Sequence, residues 1–275
     1  MGESLDYMDT ELRFFMSLTR RLPNFPRITA LVNRLLKPFY LRRPRKSVVC
    51  DVEGLTMLLN PKEAVDGALL FYWQIYDRME IGYLQQTLKP GQTFLDLGSY
   101  IGYYSLQAAR LVGGAGRVLA VEAEPSTFRI LQENIRLNGY DSIIVPVNAG
   151  LADQERILRM AVQKSGNRGG SSFFVEQENA IEIQCYPLLA LLRKHGIERV
   201  AGAKIDIESM EFRVLKAFFE TAPEELWPGF IILEYFPEND TVAGGNSLQL
   251  VLEYGYSIKD SSAYNYILVR KAQAD

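Results

Sequence analysis

The sequence predicts an α/β fold, a doubly wound and mostly parallel sheet that follows a helical N-terminal extension, and three observations predict it. Apolar strand-like runs alternate with helical stretches in regular order from Phe94 to Asn148. A turn containing Gly98 and Gly102, in FLDLGSYIGYYS at 94–105, joins a buried strand to a helix. Carboxylates stand where three strand-like runs end, at Glu122, Asp206 and Glu234. Open α/β sheets bind ligands at such strand ends.

The chain has 275 residues, 48% of them hydrophobic, enough to bury one large core beside an appendage. Its formal charge of −3 hides an asymmetry: residues 1–47 carry ten Lys/Arg against four Asp/Glu, and the remainder carries twenty against twenty-nine. We therefore divide the sequence into a basic helical extension, 1–47, and a ligand-binding domain, 48–275. In the extension, 9–22 and 26–40 have helical periodicity. The second places Ile28, Leu31, Val32, Leu35, Leu36 and Phe39 on one face, with Arg34 and Lys37 on the other. Such a helix suits an anionic membrane surface, or docks on its own domain or on a second subunit of a homo-oligomer. The Arg42-Arg43-Pro44-Arg45-Lys46 run marks a linker. It has no interleaved aromatics, so no nucleic-acid partner is expected.

No apolar run reaches the length of a membrane span, and the acidic start at 1–6 lacks the form of a signal peptide. Cys50 and Cys185 stand alone, which suggests neither a zinc site nor a disulfide framework. A cytoplasmic location is expected, with peripheral membrane contact through the basic arm.

Residues 48–60 read as two short strands around Gly54, and 61–88 as helices leading into the glycine turn. That turn offers D-x-G-x-x-x-G, with Ser99 and Tyr100 where the crowded pyrophosphate turn of a dinucleotide would want glycine. An acid at the strand end suits a cationic ligand that also carries an amino-acid group, which describes S-adenosylmethionine. Its expected contacts here are Asp96, Gly98, Tyr100 and Gly102. The strand at 117–122 ends in Glu122, twenty residues beyond Gly102, at the ribose-binding position, with Ala123 beside it. A carboxylate there accepts hydrogen bonds from both ribose hydroxyls and repels a 2′-phosphate. After a helix at 125–138 and a strand at 142–148, Asn148 with the backbone of Ala149 and Gly150 is expected to line the adenine pocket.

Residues 156–162 and 180–185 alternate like strands around a polar loop at 166–172, either a plain surface hairpin or a lid over the acceptor. His195, the only histidine, sits where a helix ends before Gly196 and reads as a helix-dipole residue rather than a base. AKIDIESME at 203–211 is a strand that releases Asp206, Glu208 and Glu211 as it turns into a helix. Glu211 reads as a helix N-terminal cap. PGFIILE at 228–234 is the next buried strand, 248–254 a helix, and 256–259 with 264–270 a terminal antiparallel pair.

FLDLGSYIGYYS, VLAVEAEP at 118–125, NAGL at 148–151, KIDIESME at 204–211 and the following IILEYFPE together resemble the FkbM family of S-adenosylmethionine-dependent methyltransferases. The first two motifs occur in many class I methyltransferases, whereas K-I-D-x-E is fairly specific to this family. Ser99-Tyr100 stands where the family usually has Ala-Asn, and Ser209 where it usually has Gly. The resemblance implies a Rossmann-like class I methyltransferase fold with a seven-stranded sheet and one reversed strand. It also implies O-methylation of a hydroxyl on a sugar, glycolipid or secondary metabolite. A hydroxyl needs a base or a metal to remove its proton. With histidine scarce, Asp206, Glu208 and Glu234 are the candidate catalytic residues, acting directly or through a divalent metal. A silent S-adenosylmethionine-binding scaffold is one alternative. A nicotinamide oxidoreductase is the other, and the glycine spacing argues against it.

Overall fold

A computed structural model describes residues 10–20, 47–74, 76–161, 180–237 and 244–271. The expected helix at 26–40 and the loop at 166–172 lie outside them. The chain divides into two compact units, residues 1–78 with 163–169, and 79–162 with 170–275.

The first unit contains helix α1 (Thr10–Thr19), strands β1 (Val48–Val52) and β2 (Leu55–Leu59), and helix α2 (Ala64–Tyr72). The two strands form an antiparallel hairpin in register from Val48 with Leu59 to Val52 with Leu55. Glu53 and Gly54 form its two-residue turn, both at positive φ, as the twist of such a hairpin demands. Buried Val48, Cys50 and Val52 alternate with less buried neighbours, the mark of a strand with one face inward. Arg20 ties the pieces together by donating to the carbonyls of Leu70 at 3.2 Å and Asp51 at 2.8 Å.

The second unit begins at Met79, within α3 (Arg78–Thr87). Its main sheet has seven strands: β3 (Thr93–Leu97), β4 (Arg117–Glu122), β5 (Ile144–Asn148), β9 (Gly202–Ile205), β10 (Phe230–Glu234), β11 (Tyr256–Ser261) and β12 (Asn265–Arg270). Their spatial order is β11-β12-β10-β9-β3-β4-β5. Neighbours from β10 to β5 are parallel, and β12 runs antiparallel to both β10 and β11. The helices are α4 (Tyr103–Val112), α5 (Pro125–Leu137), α6 (Leu188–Lys194), α7 (Glu211–Thr221) and α8 (Ser247–Glu253). This is the class I methyltransferase arrangement, and the elements read from the sequence recur in it in order.

A separate small sheet joins β6 (Gly150–Leu151), β8 (Ala180–Tyr186) and β7 (Arg156–Ala161). Its long strands were expected. The two-residue β6 was not, because a segment that short carries no periodicity.

The chain fills the sheet outward from β3 through β4 to β5, then crosses back to β9 on the other side of β3. The switch point thus falls between β3 and β9, where α/β sheets open a crevice. Side chains alternate across the sheet. Leu95, Leu97, Leu119, Val121, Ala203, Ile205, Ile231 and Leu233 bury one face in the main core. The same alternation, with the register of Asp96 to Lys204 and Lys204 to Ile232, puts Asp96, Glu122, Lys204, Asp206 and Glu234 on the other.

Candidate active site

The glycine turn is built by backbone geometry. Gly98, Tyr100 and Gly102 all have positive φ, at 80°, 50° and 92°. The N–H groups of Gly98 and Ser99 donate to the Val121 carbonyl, each at 2.9 Å, which pins the turn to the end of β4. Glycine is required at 98 for a second reason: a Cβ there would lie 1.7 Å from the Asp206 carbonyl oxygen. At Gly102 a Cβ would lie 2.6 Å from Leu131 Cδ1 on α5. The turn is thereby clamped between β9 and α5 and delivers the chain into the N-terminus of α4, where the helix dipole presents positive charge. Ser99 Oγ is buried, with no hydrogen-bond partner among the described residues.

Glu122 is 9% exposed and organises the turn from below. Its Oε2 accepts from the Tyr100 N–H at 2.9 Å and its Oε1 from the Glu124 N–H at 2.8 Å. Burial pushes its carboxyl up to about 8, against the pull of those two N–H groups. Glu124 caps α5 through the N–H groups of Ser126 and Thr127. Asn148 donates its amide to the carbonyls of Glu122 at 2.9 Å and Ala123 at 3.0 Å, and the Ala149 N–H reaches Glu122 O at 3.2 Å. Asn148 thus shapes the loop after β4. Gly150 is buried in β6, paired with Cys185 of β8.

Asp96 is 1% exposed and accepts the Ser105 hydroxyl at 2.5 Å, so its carboxyl lies beneath the turn rather than in the crevice. Burial raises it to about 6, with Ser105 and Lys204 opposing.

On the other side of the switch point, the Asp206 N–H donates to Leu97 O at 3.0 Å, continuing the β3–β9 pairing past the strand end. Its carboxylate takes an ion pair from Lys204 Nζ at 3.3 Å and retains 32% side-chain exposure. Glu208 and Ser209 follow at φ of 56° and 75°, a left-handed pair that non-glycine residues adopt at a cost. Ser209 and Tyr100 are thus two of the three positions where the resembling family usually has another residue, Gly and Asn. Those residues take this conformation more readily than Ser or Tyr.

Glu208 is raised to about 10 by burial and then by the charges of Asp206, Glu234, Glu211 and Glu122. Glu234 is raised by burial, by the Asp206 charge and by a hydrogen bond with Asp206, with Lys204 opposing. The sequence-predicted carboxylates therefore lie within one another's fields. Glu211 opens α7 and accepts the Ile207 N–H at 2.7 Å, which holds the preceding loop; the N-cap is Met210, with no side-chain cap bond, so the expected capping by Glu211 is corrected.

Among the described residues no group of three or more His, Cys, Asp or Glu side chains is arranged to hold a metal ion. Asp206 is held by the Lys204 ammonium and by Glu234. His195 does cap α6, and its carbonyl accepts from Arg117 Nη1 at 2.6 Å at the opposite end of the sheet from Glu122. Burial, with the charges of Arg117 and Lys194, holds its imidazole below the usual range. The residue sequence reasoning left without a role is Lys204, whose signal was a lysine inside an apolar strand.

The family description "Methyltransferase FkbM domain" matches residues 96–258. Among curated relatives, a transmembrane O-methyltransferase of Propithecus coquereli is 37% identical over 129 residues, 46% of this chain and 44% of that protein. A ribosomal protein L11 methyltransferase of Chloroflexus aurantiacus is 34% identical over 74 residues, 27% of this chain and 22% of that protein. The matches thus span less than half the length of these relatives. Among solved structures, an FkbM methyltransferase of Methylobacillus flagellatus aligns over 74% of this chain and 53% of its own, with TM-score 0.42 and 15% identity.

Proposed function

The chain belongs to the FkbM methyltransferase family, and on that premise we propose that it is an S-adenosylmethionine-dependent O-methyltransferase acting on a hydroxyl of a sugar, glycolipid or secondary metabolite. The observation that carries the reading is the packing of Gly98 against the Asp206 backbone, which sets the cofactor turn and the acid side by side at the switch point. The shared stretch with transmembrane O-methyltransferases supports oxygen as the methylated atom.

The residues fit the cofactor. Glu122 presents its carboxyl oxygens to ribose hydroxyls, the positive-φ turn brings backbone toward a ligand at the α4 N-terminus, and the partly exposed Asp206 carboxylate suits a ligand that carries positive charge. When bound, S-adenosylmethionine supplies an electrophilic methyl group on a sulfonium. The chain then has two tasks. It holds the acceptor hydroxyl in line with the methyl in a site that excludes water, and it takes the hydroxyl proton. Asp206 is the base, because its carboxylate is ion-paired yet partly exposed, whereas burial and their neighbours favour the protonated forms of Glu208 and Glu234. Glu234 then donates its one proton to Asp206, and Glu208 serves as a hydrogen-bond donor to the acceptor.

Asp206→Asn keeps the shape and removes the charge. Against a panel of hydroxyl acceptors with radiolabelled methyl donor, it is expected to lower transfer by about 100-fold or more, with S-adenosylhomocysteine affinity retained. Near-normal turnover by Asp206→Asn would end the proposal.

A further inference from the structure

Lys204 occupies the middle of β9, a central strand of the sheet. It is 4% exposed, in register with Asp96 on β3 and Ile232 on β10. Its Nζ lies 3.3 Å from Asp206 Oδ2 and 5.7 Å from the centre of the Tyr104 ring on α4. The groups facing it are thus Asp96 from β3, Asp206 beyond its own strand, Glu234 from β10 and the Tyr104 ring from α4. A lysine buried so deeply is tolerated only when its charge is matched, and here three acids and an aromatic face share that task.

From this geometry we infer that Lys204 is a positioning residue: its ammonium anchors Oδ2 of Asp206 to the floor of the crevice and supplies the fixed positive charge that Asp96 and Glu234 face, a role that rests on Asp206 being the base. Three acids on adjacent strands repel one another and are relieved by taking up protons. A fixed cation beneath them opposes that uptake where it is closest. It opposes the upward shift of both Asp96 and Glu234. With Asp206 and Tyr104 against it and little of its surface exposed, Lys204 acts through Asp206.

The test is carboxyl 13C NMR titration of the full chain, which needs no acceptor and can fail separately from the assignment of Asp206 as base. In Lys204→Met the Asp96 and Glu234 carboxyl carbons are expected to titrate higher by about one pH unit or more, and in Lys204→Arg to return toward wild type. S-adenosylhomocysteine affinity is expected to hold in both. Unmoved titrations in a folded Lys204→Met protein would overturn the inference, as would loss of cofactor affinity without a titration change. Should Lys204→Met fail to fold, the 15N resonance of the Lys204 ammonium is followed instead, in wild type and in Asp206→Asn. A clear shift between the two supports the anchor, and identical resonances overturn it.

Discussion

Replacing Gly98 with alanine tests whether the cofactor turn and the acid are one mechanical unit. The new Cβ would stand 1.7 Å from the Asp206 carbonyl oxygen and 2.7 Å from its carbonyl carbon, whereas non-bonded heavy atoms settle at about 3.5 Å. Either the turn or the β9–α7 connection must therefore move by about 1.5 Å or more. Three effects add. Left-handed φ costs a non-glycine residue about 1–2 kcal/mol, overpacking costs about 1–3 kcal/mol, and the bond from the Asp206 N–H to Leu97 O is worth about 1 kcal/mol. Together they reach about 3–6 kcal/mol, a large part of the stability of an ordinary domain. Urea unfolding is expected to show a lower midpoint at unchanged slope. Calorimetry on the protein that remains folded is expected to show loss of S-adenosylhomocysteine binding. A stability change below about 1 kcal/mol with full affinity would refute the close packing of the two strand ends.

Ser209→Gly relieves a left-handed position and is expected to raise the melting temperature by about 1–3 °C; a fall would mean that the serine side chain outweighs the strain. Glu122→Ala removes the acceptor for two backbone N–H groups and the proposed ribose contact, and is expected to weaken S-adenosylhomocysteine by about ten-fold or more; unchanged affinity in a folded variant would remove Glu122 from the site. The pH dependence follows from the same residue. Its folded carboxyl is raised to about 8, so the stability it contributes is full below the ordinary carboxylate range and is lost as pH rises through about 8. The ligand-free protein is expected to melt lower at about pH 9 than at about pH 6, and Glu122→Gln to flatten part of that slope; identical slopes would contradict it.

The sheet was legible because its strands carry unbroken apolar runs between glycine turns and helical stretches, and because an acid at a strand end breaks the run visibly. The alternation of period two was also enough to place Asp96, Lys204 and Asp206 on one face, which is how Lys204 would have been found. Backbone conformation at non-glycine residues was not legible. Nothing at Glu208 announces a positive φ, and at Tyr100 and Ser209 the one sign is that the resembling family has Asn and Gly there; the conformation is imposed by the closure of the turn on its neighbours. Asn148 was read as a base-pocket residue from its place at the end of β5; that its amide also donates to the carbonyls of Glu122 and Ala123 was not legible, because the contact is set by strand register. The fate of Asp96, buried under the turn with Ser105, depends in the same way on how α4 lies against β3.

A crystal structure of the full chain with S-adenosylhomocysteine tests the central claim most directly. The account predicts the ligand at the C-terminal ends of β3 and β4, its ribose hydroxyls about 2.6–3.2 Å from Glu122 and its sulfur on the side of the crevice that Asp206 lines. A ligand seated elsewhere on the sheet, or a ribose held by a residue other than Glu122 with Asp206 turned away, would contradict it.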